Sequence, residues 1–213
     1  MEVFDYILHI DKYLEQFLMH YQSWFYIILF LLIFIETGVV IMPFLPGDSL
    51  LFASGMLASS FPEQVNIILV ILVLWLAAIL GDSANYSIGK YFGNKIIRKE
   101  IFGKRIIKDK DILKTETFFD KYGAKTIVIA RFVPIVRTLA PFVAGISKMH
   151  YSTFIKFNIL GGTIWVFGLT LAGFFLGTIP IVKNNLEWMV LVIIVFSLIP
   201  IGFELIKSKI KQF

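Results

Sequence analysis

Cysteine is absent from this 213-residue chain, and histidine occurs only three times, at His9, His20 and His150. The first absence excludes a disulfide framework and thiolate metal sites. The second, with no HExxH-type spacing among the three, argues against a histidine-held metal, and no cofactor is expected. Charge is scarce as well: 16% of residues are Asp, Glu, Lys or Arg, against 58% hydrophobic. Mean hydropathy is +0.82. Soluble domains of this size seldom carry so much apolar sequence, so the composition predicts an all-α polytopic membrane protein. The first residues lack a basic n-region and an Ala-x-Ala site, so they do not read as a signal peptide. Val3, Phe4, Ile7, Leu8, Leu14, Phe17 and Leu18 recur at helical spacing with charges between them. That pattern predicts an amphipathic helix on the membrane surface over residues 1–22.

Four segments are apolar enough to cross. Trp24–Met42 is interrupted only by Glu36 and Thr37 and reaches about 29 Å as a helix. Val65–Leu80, extended through Gly81–Ile88, is the second; Phe154–Leu176 and Trp188–Phe203 are the third and fourth. Phe44–Leu57 and Thr126–Ile146 are apolar too, but both carry prolines, glycines and charge. Lysine and arginine crowd residues 90–125 and return at Lys207, Lys209 and Lys211. The positive-inside rule therefore puts that loop and the C-terminus in the cytoplasm. Four spans obey the rule only if the two broken stretches enter and leave on one side, as re-entrant hairpins facing opposite ways. The expected organisation is one membrane domain: interfacial helix 1–22, span and hairpin 24–60, span 64–90, basic loop 91–125, hairpin 126–148, spans 150–178 and 186–206, and tail 207–213. Paired apolar residues in the basic loop predict surface-lying helices, closed by Gly123. No recognition motif for nucleic acid is present.

The broken stretches resemble each other. "PFLPGDSLLFASGML" runs from Pro43 through Pro46, Gly47 and Asp48 to Gly55; "RFVPIVRTLAPFVAGISKM" runs from Arg131 through Pro134, Arg137 and Pro141 to Gly145. Two such elements opening on opposite faces are the pattern of an inverted repeat, in which broken helices build a site near the midplane. Irregular backbone survives at that depth only where protein or a cavity surrounds it. Each buried charge costs about 2.5–3.5 kcal/mol on insertion scales, so Glu36, Asp48, Arg131 and Arg137 must pair or face water. Pairing alone would make a polar clamp. The functional alternative has Arg131 and Arg137 holding an anionic headgroup through phosphate-matched forks, with Glu36 and Asp48 exchanging protons.

Glu36, the Pro43–Asp48 turn, Gly55, "GDSANYSIGKYFG" and "RFVPIVRTLAPFVAG" together resemble the DedA family, which shares the SNARE-associated or VTT domain, over roughly Phe30 to Trp165. The resemblance implies hairpin architecture, a place in the bacterial cytoplasmic membrane, and movement of lipids between leaflets driven by proton motive force. It points to undecaprenyl phosphate, or to phospholipids such as phosphatidylethanolamine. The family's essential acids match Glu36 and Asp48 and its essential arginines Arg131 and Arg137. Where the family usually has glutamate in the turn, this chain has Asp48, one methylene shorter. Partners are then an anionic lipid substrate and the surrounding membrane lipids, with a homodimer allowed.

Asp82, Asn85, Asn158 and Trp165 are accessory candidates, although Asp82 and Asn85 read equally well as interfacial residues. Gly89-x-x-x-Gly93 and Gly173-x-x-x-Gly177 read as helix-packing motifs. A P-loop at Gly89-Lys90 fails because Ala84 and Tyr91 occupy required positions. An enzymatic alternative, a lipid-phosphate phosphatase, has only His150 near the basic site and no partner histidine. A scaffold that merely binds partners is the third class, and no enzyme is expected.

Overall fold

Long apolar runs become long helices in the computed structural model, which describes residues 10–39, 47–97, 100–101, 104–105 and 109–183. α1 is Ile10–Gly38, α2 Gly47–Ser60 and α3 Ile67–Ile97. α4 is Asp109–Tyr122, α5 Thr126–Ile129, α6 Pro134–Ile146, α7 Tyr151–Gly177 and α8 Pro180–Lys183. Among the described residues the only strands are β1 (Glu100–Ile101) and β2 (Lys104–Arg105), an antiparallel pair inside the basic segment. Three helices carry membrane-length apolar stretches: Leu18–Gly38, Ile67–Gly93 and Tyr151–Gly177. The chain is thus a helical membrane protein. The fourth expected span, Trp188–Phe203, and the tail lie outside the described residues, as do residues 1–9 of the interfacial helix.

Local chemistry explains where helices bend and begin. α1 is broken at Tyr21 (φ −126°, ψ 30°), where the polar stretch before Trp24 gives way to apolar sequence. Asn66 caps α3, its Oδ1 accepting from the amides of Ile68 (2.9 Å) and Leu69 (3.2 Å). Before α6, a 3-10 turn over Ala130–Phe132 leads to Val133, which is extended (φ −121°, ψ 105°). The ring of Pro134 forbids Val133 a helical backbone, and Pro134 itself starts α6 where its missing N–H is no loss. Pro141, inside α6, has no N–H to offer the carbonyl of Arg137 one turn earlier. After α4, Gly123 takes a left-handed conformation (φ 56°) that ends the helix.

The chain divides into two compact units. The first comprises Met1–Leu29, Pro46–Leu74 and Phe167–Phe213; the second, Phe30–Leu45 and Trp75–Val166. In the first, α2 presses on the C-terminal half of α7 through glycines offered by both helices. A Cβ at Gly55 would stand 1.9 Å from the Thr170 carbonyl oxygen, and one at Gly173 would stand 2.0 Å from that of Phe52. In the second, α6 presses on the C-terminal half of α3 in the same way. A Cβ at Gly89 would meet the Phe142 oxygen at 2.2 Å, and one at Gly145 the Tyr86 oxygen at 2.1 Å. Gly177 and Gly93 complete the two stripes, against Met56 and Ile146. Phe52, Gly55 and Met56 thus correspond in order and spacing to Phe142, Gly145 and Ile146. Thr170, Gly173 and Gly177 correspond likewise to Tyr86, Gly89 and Gly93. Small residues let backbones approach where helices cannot rely on water to drive them together. An apolar cluster of Tyr86, Ile127, Ala130, Val136, Ala140, Ala144 and Phe154 fills the second unit beside this contact.

Candidate functional site: a buried ionic cluster

Four charged side chains come together in the second unit, each carried by a different element. Glu36 stands near the end of α1, Asp82 within the apolar span of α3, Arg131 in the 3-10 turn and Arg137 one turn into α6. Arg131 makes a salt bridge with Asp82, and its Nη2 also donates to Asn158 Oδ1 at 2.6 Å. Asn158 is itself tied down, its Nδ2 donating to the Ile79 carbonyl at 3.1 Å. Arg137 Nη2 lies 3.1 Å from Glu36 Oε1. Trp165, on α7, presents its ring to both cations. Its ring centroid is 4.0 Å from the Arg137 guanidinium carbon and 5.5 Å from that of Arg131. A guanidinium over an indole face is attracted by the ring quadrupole, by about 2 kcal/mol or more when water is excluded.

Asn85 ties the frame together. Fully buried on α3, it donates from Nδ2 to the carbonyls of Thr37 (3.1 Å) and Thr138 (2.9 Å). Those carbonyls belong to the residues that follow Glu36 and Arg137, so one amide sets the register of both partners of an ion pair. Gly81 and Gly38 let α1 and α3 approach here, a Cβ at Gly38 standing 3.4 Å from the Gly81 oxygen. Two guanidinium and two carboxylate groups make the cluster neutral overall. A lone member would be an uncompensated charge inside apolar helices, which is strongly destabilising.

The expected residues fare differently. Glu36, Arg131 and Arg137 are in the cluster. The acid facing Arg131 is Asp82, buried within the α3 span, which corrects its reading as an interfacial, snorkelling residue. Asp48 is exposed on the first turn of α2, in the first unit. Asn85, Asn158 and Trp165 all join the cluster as hydrogen-bonding or stacking partners. Gly55 and Gly145 are helix-contact glycines, Gly47 is a buried residue opening α2, and Pro134 and Pro141 shape α6. Pro43 and Pro46 lie outside the described residues. Sequence reasoning missed Thr138, whose backbone is the contact, and Gly161, where a Cβ would stand 3.1 Å from Arg131 Nε. Neither carries a charge or motif to mark it. Among the described residues no group of His, Asp and Glu could hold a metal ion.

Three membrane-length helices around such a centre define an integral membrane protein with intramembrane ion pairs. Residues 45–175 match the VTT domain family. The chain is 47% identical over 205 residues to Protein DedA of Escherichia coli K12, covering 96% of this chain and 93% of that protein. It is 44% identical over 170 residues to an uncharacterized membrane protein of Mycobacterium tuberculosis H37Rv (80% and 74% of the two chains). With the inner membrane protein YqjA of E. coli K12 it shares 34% over 160 residues (73% and 69%). The chain belongs to the DedA family of VTT-domain membrane proteins. No solved structure matches it.

Proposed function

We propose that this protein moves a phosphate-bearing lipid between leaflets of a bacterial cytoplasmic membrane, with undecaprenyl phosphate as substrate and proton motive force as driver. Its family supports the coarser part, a role in membrane lipid transport or homeostasis. One observation carries the rest: the neutral cluster of Glu36, Asp82, Arg131 and Arg137, buried among apolar helices beside Trp165. Guanidinium groups match phosphate oxygens through paired N–H donors. Because the cluster is neutral, an arriving phosphate brings a net negative charge, costing about 2.5–3.5 kcal/mol on insertion scales. A proton taken up by a displaced carboxylate cancels that cost. Glu36 is the carboxylate in place for this, and Asp48 is the second acid of the proton path. In this reading α2 and α6 belong to two oppositely opening re-entrant hairpins among four spans, with both termini cytoplasmic. Alternating access arises as the hairpins move against the spans. The chemistry is transport rather than hydrolysis.

Reconstitution tests this. Liposomes carrying the protein and a labelled undecaprenyl phosphate in one leaflet should lose the label from that leaflet, faster under an imposed proton gradient, without releasing inorganic phosphate. Phosphate release would mark an enzyme, and neither outcome a scaffold. In cells lacking the endogenous activity, Arg131→Ala and Glu36→Gln should each abolish complementation at normal membrane levels. Full activity of both would remove the cluster from the mechanism.

A further inference from the structure

The two arginines are not held alike. Arg131 has 3% of its side chain exposed and bonds both Asp82 and Asn158. Asn158 is anchored in turn to the Ile79 carbonyl. Arg131 Nε has no hydrogen-bond partner among the described residues, and its edge faces backbone rather than space. A Cβ on Gly161 would stand 3.1 Å from Nε and 3.2 Å from Cδ, so the α7 main chain already fills that side. A phosphate oxygen has no room there unless α7 withdraws. Arg137 is the more open of the two, with 12% of its side chain exposed, and it lies closest to the Trp165 ring. Its carboxylate partner, Glu36, sits in the last turn of α1.

We infer that Arg137 alone exchanges its carboxylate for the phosphate of the ligand, while the Arg131–Asp82–Asn158 group is a positioning device that holds Trp165 and thereby Arg137. The inference rests on the reading of the cluster as a phosphate site. Under it, the positive charge of Arg131 matters only because Asp82 is negative. Removing either one strands the other, whereas removing both restores neutrality. The Arg137–Glu36 pair has no such symmetry, because ligand binding itself uses the arginine.

The test is affinity for dodecyl phosphate, measured by calorimetry on the full chain in detergent, together with lipid transport and thermal stability. Arg131→Gln and Asp82→Asn singly should each lose binding. The double variant Arg131→Gln/Asp82→Asn should recover it to within about tenfold of the parent. Arg137→Gln and Arg137→Gln/Glu36→Gln should both bind at least tenfold more weakly, with melting temperature in the double variant near that of the parent. That factor follows from losing a charge-assisted hydrogen bond to the ligand. If the double variant at Arg131 and Asp82 folds but fails to bind, Arg131 is itself a ligand-binding residue and the inference falls. Should that variant not fold, the Arg137 pair still decides: binding within threefold of the parent in Arg137→Gln overturns the assignment. Absence of binding to the parent protein overturns this inference together with the phosphate reading beneath it.

Discussion

Gly173→Ala and Gly168→Ala, five residues apart on α7, should move stability in opposite directions. Alanine is favoured over glycine within a helix by about 1 kcal/mol, because glycine loses more backbone freedom on ordering. At Gly168 a new Cβ meets nothing within 4 Å, so that gain stands alone. At Gly173 the same methyl would lie 2.0 Å from the Phe52 carbonyl oxygen and 2.8 Å from its carbon. Both atoms are backbone of α2, so no side-chain rotation relieves the overlap. The helices must part by at least about 1 Å, a separation that forfeits a quarter to a half of each dispersion contact along the stripe. Overpacking of this kind costs about 1–3 kcal/mol, enough to cancel the propensity gain and reverse its sign. Gly55, whose own Cβ would strike the Thr170 carbonyl, loses its fit in the same movement. Thermal unfolding in detergent, followed by size-exclusion of the surviving fraction, measures the difference. Gly168→Ala should melt at or above the parent and Gly173→Ala several degrees below it. Equal melting of the two variants would refute the close α2–α7 contact.

Two further changes probe the cluster. Asn85→Leu strips donors from the carbonyls of Thr37 and Thr138, and leaving buried acceptors unmet costs about 1–3 kcal/mol each. Stability and lipid transport should fall together although every charge is retained, and unchanged values of both would show that the amide does not set the Glu36–Arg137 register. At Trp165, phenylalanine keeps an aromatic face for the guanidinium groups and leucine keeps only bulk. Transport by Trp165→Phe should therefore exceed that by Trp165→Leu by about tenfold, and equal rates would exclude a stacking role.

Much of this molecule is legible as text. Apolar runs of membrane length announce themselves without partners, since lipid requires every backbone group to be bonded within the helix. Three of the four expected spans reappear as helices, and Pro134 broke the chain where the ring chemistry of proline demands it. Glu36, Arg131 and Arg137 were marked by being ionisable in greasy sequence, which is itself a signal. Asp82 carried the same signal, but it stands in a stretch with Ser83, Asn85, Ser87 and Lys90 that reads as a span's polar end. Only its place opposite Arg131 shows that it is buried within the span. Asp48 stands exposed on the first turn of α2, in the first unit, and its likeness to Arg137 in a turn motif carries no distance.

Composition and order determined that this chain is helical, lives in a membrane, and carries ions that cannot remain single there. Pairing was decided by the tertiary structure: which acid meets which arginine, and that one indole ring serves both cations. Charge pairing depends on separations of a few ångströms between elements far apart in the chain, and no local pattern encodes those separations. The glycine stripes lie between the two cases. Their spacing was visible in sequence, but only the opposing helix shows that Gly55, Gly89, Gly145 and Gly173 each answer a carbonyl.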